Sequence, residues 1–278
     1  MKKLISLLLA LLPIVAEAAG HSHYLRELNN MCPFEYKIGQ MVRVAESDGV
    51  VTITYRQSDS QSLNAIKKLN ADAATQDLLK DYLALGFLEL FEGNLQFYQS
   101  FCLDVNQMVF MVENNRSQPV CIIPVERMRY FPDCYHAAKD GNLPAYNLSI
   151  TNLRFYTLFE NTAGPYELVA GYRRTKVDYD EQKKVLKIFC VLDEARVGAT
   201  LPGRVTPKEI ESVKDMWFGP SSAFMNSIYY STIKYLEQIG GSFVVKIRGS
   251  KSNNQIIVDL PPNELKTYAI NYRLAMMR

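Results

Sequence analysis

The scarcest reactive side chains are three histidines, His21, His23 and His136, and five cysteines, Cys32, Cys102, Cys121, Cys134 and Cys190. His21 has the most specific setting. If the chain is cut after Ala18, the new terminus reads Ala19-Gly20-His21 and offers an amine, two amides and an imidazole in one plane. Four nitrogens in a square suit Cu(II) or Ni(II) and need no folded site. Cys134-Tyr135-His136 sets a thiol near an imidazole, but neighbours one or two apart seldom reach the geometry that makes a thiolate nucleophilic. No C-x-x-C pair occurs, so neither a zinc knuckle nor a dithiol redox site is indicated. An odd cysteine count leaves at least one thiol unpaired in a monomer. Cys102 with Cys121 is the expected disulfide, and Cys190, inside the apolar run Val185 to Leu192, is expected to act as a buried small hydrophobe.

Other catalytic patterns are missing. Gly219-Pro-Ser-Ser-Ala223 fails the nucleophile-elbow spacing, and the sequence has no H-E-x-x-H, no phosphate-cradling glycine loop and no calcium loop. No cofactor is therefore expected. Asp178-Tyr-Asp-Glu181 gathers acids where a hairpin must reverse, which reads as a solvated turn. The aromatic residues offer binding instead of catalysis. Seventeen tyrosines and 13 phenylalanines accompany one tryptophan. Trp217, Phe218, Tyr229, Tyr230 and Tyr235 form a candidate groove for a peptide or glycan, because tyrosine is apolar in body and polar at its tip. The plainer reading of the same residues is core packing.

The elements that would position these groups show an internal echo. Val51 to Asp59 lies 134 positions before Val185 to Asp193, and Lys80-Asp81 matches Lys214-Asp215 at that offset. Met108 to Glu113 falls on Phe243 to Arg248, and Val120 to Pro124 on Ile256 to Pro261. Each half opens with a hairpin: Tyr36 to Glu46 turning at Ser47-Asp48-Gly49 into Val50 to Gln57, and Glu167 to Val177 turning at 178–183 into Lys184 to Asp193. Helices follow. In the first half they run from Ala74 to Ala84 and from Phe87 to Leu103, with a bend at Gly86. In the second, Thr206-Pro207 starts a helix, Pro220 interrupts it, and Ser221 to Ile239 stops at Gly240-Gly241. A second hairpin closes each half, Gln107 to Pro124 and Ser242 to Leu260. The expected fold is α+β: two tandem similar modules, each a hairpin–helices–hairpin with a mainly antiparallel four-stranded sheet covered by helices.

Residues 1–18 read as a cleavable signal peptide: Met1-Lys2-Lys3, an apolar run from Leu4 to Val15, then Ala16-Glu17-Ala18. That run falls short of the ~20 apolar residues a bilayer span needs, and no transmembrane segment is expected in the mature chain. No cysteine follows the cleavage site, which argues against a lipoprotein anchor. The domains then run 19–128 (first module), 129–152 (connection) and 153–278 (second module). Losing Lys2, Lys3 and Glu17 leaves 29 basic and 28 acidic residues, a balance without the clustered basic face of a nucleic-acid binder.

With its Lys2-Lys3 leader, its missing lipobox and the opening Asn29-Asn-Met-Cys-Pro33, the chain resembles the uncharacterised exported proteins of Bacteroidetes-type bacteria. The resemblance implies a periplasmic or secreted setting and carries over no functional residues. The expected function is a non-catalytic binding or assembly module of the envelope, with an envelope protein, peptide or glycan as partner. A hydrolytic or thiol-dependent secreted enzyme is the alternative, and terminal Cu(II)/Ni(II) binding a third.

Overall fold

The computed structural model describes residues 21–36, 38–56, 60–90, 101, 103–113, 119–129, 148–218 and 227–268. The chain divides into two compact units, Met1–Thr151 and Asn152–Arg278. The fold is mixed α/β, with one five-stranded sheet in each unit.

In the first unit, helix α1 (His21–Met31) precedes a short strand β1 (Phe34–Tyr36) and the hairpin β2 (Gly39–Ser47) and β3 (Val50–Arg56). The turn between them holds Asp48 and Gly49 at φ 52° and 73°, the paired left-handed conformations that an Asp-Gly hairpin requires. Helices α2 (Ser60–Ala71) and α3 (Ala73–Leu90) follow, then β4 (Gln107–Val112), β5 (Cys121–Pro124) and α4 (Val125–Arg129). The sheet order is β1-β2-β3-β4-β5. Val44, Val51, Ile53, Tyr55, Met108, Phe110 and Ile123 are buried on one face, with burial alternating along β3 and β4. That period-two pattern is what a sheet covered on one side demands. Tyr24 in α1 donates its hydroxyl to the Leu90 carbonyl at the end of α3.

In the second unit, α5 (Leu148–Ala163) precedes β6 (Tyr166–Val169), β7 (Tyr172–Asp180) and β8 (Val185–Leu192). After the single turn α6 (Glu194–Val197) come α7 (Pro207–Phe218), α8 (Ser227–Gln238), β9 (Ser242–Gly249) and β10 (Gln255–Leu260); residues 262–268 are helical. The sheet order is β10-β9-β8-β7-β6. Its core joins Leu153 and Tyr156 of α5, Trp217 and Phe218 of α7, and Ile233 and Leu236 of α8 to Leu186, Ile188, Phe243, Val245, Val258 and Leu260 of the sheet. Thr206 caps α7: its Oγ1 accepts from Glu209 N at 3.3 Å while Glu209 Oε2 accepts from Thr206 N at 2.6 Å. That reciprocal exchange satisfies two otherwise orphaned amides. Gly240 at φ 65° follows α8, the expected left-handed stop.

Four expectations about the fold need correction. The sheets are mixed, not mainly antiparallel, because β3 pairs parallel with β4 and β8 with β9. The helices between the hairpins carry the chain back along the sheet, so the second hairpin starts beside the beginning of the first one's last strand. Each sheet also has five strands instead of four, since β1 and β6 add a short outer strand. Helix α3 runs through Gly86 without interruption, because one glycine inside a good apolar helix lowers its stability without ending it. The counterpart break at Pro220 lies outside the described residues. Helix α5 begins at Leu148, within the segment read as connection 129–152.

Candidate binding face

Cross-strand register assigns the side chains of the second sheet to two faces. Leu186, Ile188, Cys190 and Leu192 of β8 point toward the helices and are buried; Lys187, Phe189 and Val191 point away. The strand neighbours of the latter share that outward face. Asp178, Lys187, Val244 and Asp259 form one row, Lys176, Phe189, Lys246 and Ile257 the next, and Arg173, Val191, Arg248 and Gln255 a third. Phe189 sits between two ammonium groups, with Lys176 Nζ at 5.7 Å and Lys246 Nζ at 5.6 Å from its ring centroid. Both distances fall within cation–π range. Ile257 is 48% exposed. A bulge between Arg174 and Lys176 turns Arg174 inward while Arg173 and Lys176 stay outside.

Charge on this face is divided. The three rows hold five cations, Arg173, Lys176, Lys187, Lys246 and Arg248, against Asp178 and Asp259. Asp178 lies 3.6 Å from Lys176 and 3.8 Å from Lys187. The Glu167 carboxylate, opposite Arg173, accepts from Gly171 N at 2.7 Å and pairs with Arg196. The corresponding face of the first sheet is plainer. Its rows are Arg43, Thr54 and Met111; Ala45, Thr52, Val109 and Ile122; and Ser47, Val50, Gln107 and Pro124. Ile122 is 43% exposed.

The other polar groups of the second unit are engaged in holding it together. Glu194 is 4% exposed and its carboxylate accepts from Ser252 Oγ at 2.6 Å, Ser252 N at 2.8 Å, Leu201 N at 2.8 Å and Lys251 N at 2.7 Å. The Ser252 bonds lead in drawing its pKa down to about 2, since each donor favours the ionised form. A Cβ on Gly249 would stand 2.5 Å from Glu194 Oε1 and 2.4 Å from Ser252 Oγ, so glycine is what lets the carboxylate reach the β9–β10 loop. Arg174 and Glu160 form a buried ion pair, 4% and 6% exposed, joining β7 to α5.

No protein family, curated protein or solved structure matches the chain. The reading of the face therefore rests on its own chemistry.

The residues singled out from sequence are distributed differently. Trp217 and Phe218 are 1% exposed and Tyr235 is 4% exposed; they pack in the core and present no ring to solvent. Tyr229 and Tyr230 fall in α8, with side chains outside the described residues. Their helical spacing carried an apolar stripe that the sheet covers, which is why a groove and a core looked alike in sequence. The Cys102–Cys121 disulfide is not made. Cys121 is a buried free thiol on β5, and Cys102 lies outside the described residues. Ala19, Gly20, Cys134 and His136 lie outside them too; His21 opens α1, its side chain undescribed. Burial pushes the thiols of Cys121 and Cys190 up to about 12 and that of Cys32 up to about 11. All three are protonated near neutrality and are poor nucleophiles. Among the described residues no group of three or more His, Cys, Asp or Glu side chains is placed to hold a metal ion, and no helix is long and apolar enough to cross a membrane. Sequence reasoning missed Phe189 and its lysines. The signal was present in the alternation of Val185 to Leu192, where Lys187, Phe189 and Val191 occupy the positions opposite the core.

Proposed function

We propose that this is an exported, non-catalytic binding or assembly protein of the bacterial envelope, built from two descendants of one ancestral unit, with the uncovered sheet faces as its working surfaces. The observation that carries the proposal is the second sheet's outer face, where the half-buried Phe189 and Val191 and the exposed Ile257 lie among cations. Exposed apolar area of this kind marks interaction surfaces. The ionisable groups Glu194, Arg174, Glu160 and Lys214 are each committed to partners within the unit, an arrangement that serves structure and not turnover.

Several features support common descent of the units. Val50 pairs with Gln107, and Val185 with Ser242, so the parallel partners are separated by the same chain length in both. Each long hairpin strand carries a register shift two to four residues after its start, between Met41 and Arg43 and between Arg174 and Lys176. Pro33 and Pro165 each stand immediately before the first strand, and both strands open with an aromatic residue and a glutamate, Phe34-Glu35 and Tyr166-Glu167. The signal-peptide reading of residues 1–18 supports export.

The test is site-specific photocrosslinking in the producing cells. A photoreactive residue at Ile122 or Ile257 is expected to trap discrete adducts in the envelope fraction, whereas one at Lys208, exposed on α7, is not. Equal labelling at all three positions, or retention of the protein in the cytoplasm with its leader intact, would sink the proposal.

A further inference from the structure

Resting on the binding-module reading, we infer that the outer face of the second sheet takes an acidic, extended peptide segment laid across strands β7 to β10 over the two rows centred on Phe189 and Val191. The occupant follows from charge and shape. Lys176, Lys246, Arg173 and Arg248 lie in adjacent rows, roughly 7 Å apart along the strands and roughly 10 Å apart across them. Between them stand Phe189, Val191 and Ile257. A strand-like segment whose sheet-facing side chains, every second residue, are carboxylate and aliphatic by turns matches that interleaving, meeting cations and apolar contacts in turn.

Three features separate this occupant from others that share its charge. A flat anionic surface such as a lipid bilayer would cover the whole face and bring its charges against Asp178 and Asp259. A narrow chain confined to the two basic rows avoids them. A glycan would need an open ring to stack upon, but Lys176 and Lys246 approach Phe189 from the two flanking strands. Nucleic-acid bases need the same open ring. Carboxylates need only the ammonium and guanidinium groups. Arg248 is held toward the β9–β10 loop by Asn253, whose Oδ1 accepts from both Nε and Nη2, which fixes the guanidinium plane and leaves its Nη1 side for a carboxylate.

The experiment is fluorescence anisotropy with a labelled synthetic peptide of repeating Glu-Ser-Leu-Ser, which sets glutamate and leucine by turns on one face of an extended strand, using the full protein. Saturable binding that weakens with added salt is expected. The double reversal Lys246→Glu with Arg248→Glu should weaken it about tenfold or more, the milder Lys246→Gln with Arg248→Gln by an intermediate factor, and Lys208→Glu not at all. Circular dichroism confirms that each variant is folded, and the neutral pair carries the test should the reversal fail to fold. Absence of saturable peptide binding, or equal binding by the wild type and the neutral pair, overturns the inference. So does binding of a sulfated glycan or of phosphatidylglycerol vesicles in place of the peptide. In those cases, adducts at Ile257 would still stand for the binding-module reading, and their absence would remove both.

Discussion

Glu194 is a carboxylate whose ionisation is tied to the fold. Four donors converge on it, and its pKa is drawn from 4.5 to about 2. A group depressed on folding contributes stability above its unfolded pKa and loses that contribution as the pH falls through the folded value. The window here runs from about 4.5 down to about 2. Glu194→Gln should lower the melting temperature at pH 7, and the gap from wild type should close progressively across that window when melting is followed by circular dichroism. A constant gap from pH 7 to pH 2 would contradict the assignment. The Arg174–Glu160 pair makes a different demand. Both charges are buried, so Glu160→Leu strands a guanidinium beside Tyr156 and Cys190 and should cost about 3–5 kcal/mol in urea unfolding. The double replacement Glu160→Leu with Arg174→Met should recover much of that loss. If the double variant is as unstable as the single one, packing and not the stranded charge is responsible.

At the scale of elements, local chemistry explains most of what was legible. Asp48-Gly49 announced the first hairpin, and it forms between β2 and β3 with both turn residues left-handed. Thr206-Pro207 announced the start of α7, and Thr206 caps it in an exchange with Glu209 that the sequence reading did not include. Thr206→Ala should destabilise the second unit by about 1 kcal/mol, measurable as a shift in urea midpoint at unchanged slope. Strand direction was not legible, because alternation reports which face is buried and says nothing about which neighbour a strand takes. The parallel β3–β4 and β8–β9 pairings depend on how two helices return the chain, a non-local matter. The short strand β1 escaped notice because three residues carry too little period to register, and β6 merges with β7 in the single run Glu167 to Val177, where the reversal at Gly171 goes unread. Helix α5 escaped because Asn152, Asn161 and three threonines dilute its apolar stripe. The site residues failed for a related reason. Trp217, Phe218 and Tyr235 have the composition of a binding groove, and only the sheet packed against them reveals a core.

For the molecule as a whole, the compact units predict separability. The boundary at Thr151 falls inside α5, so a cut that respects the fold must precede Leu148. A fragment of residues 148–278 should be monomeric and unfold cooperatively in urea, its near-ultraviolet dichroism reporting a packed Trp217. A fragment of residues 164–278, lacking Leu153 and Tyr156 from its core, should lose that signal. Equal behaviour of the two would mean that α5 is dispensable.

Each unit also fastens the helical segment after its last strand to an earlier helix with an ion pair, and the two pairs have opposite polarity. In the first, Asp81 on α3, 8% exposed, holds Arg127 of α4. In the second, Lys214 on α7, also 8% exposed, holds Glu264 at 2.6 Å. The helix-borne charge is acidic in the first latch and basic in the second, so its reversal, Asp81→Lys or Lys214→Glu, sets like charges face to face in that unit alone and leaves the other unit's latch closed.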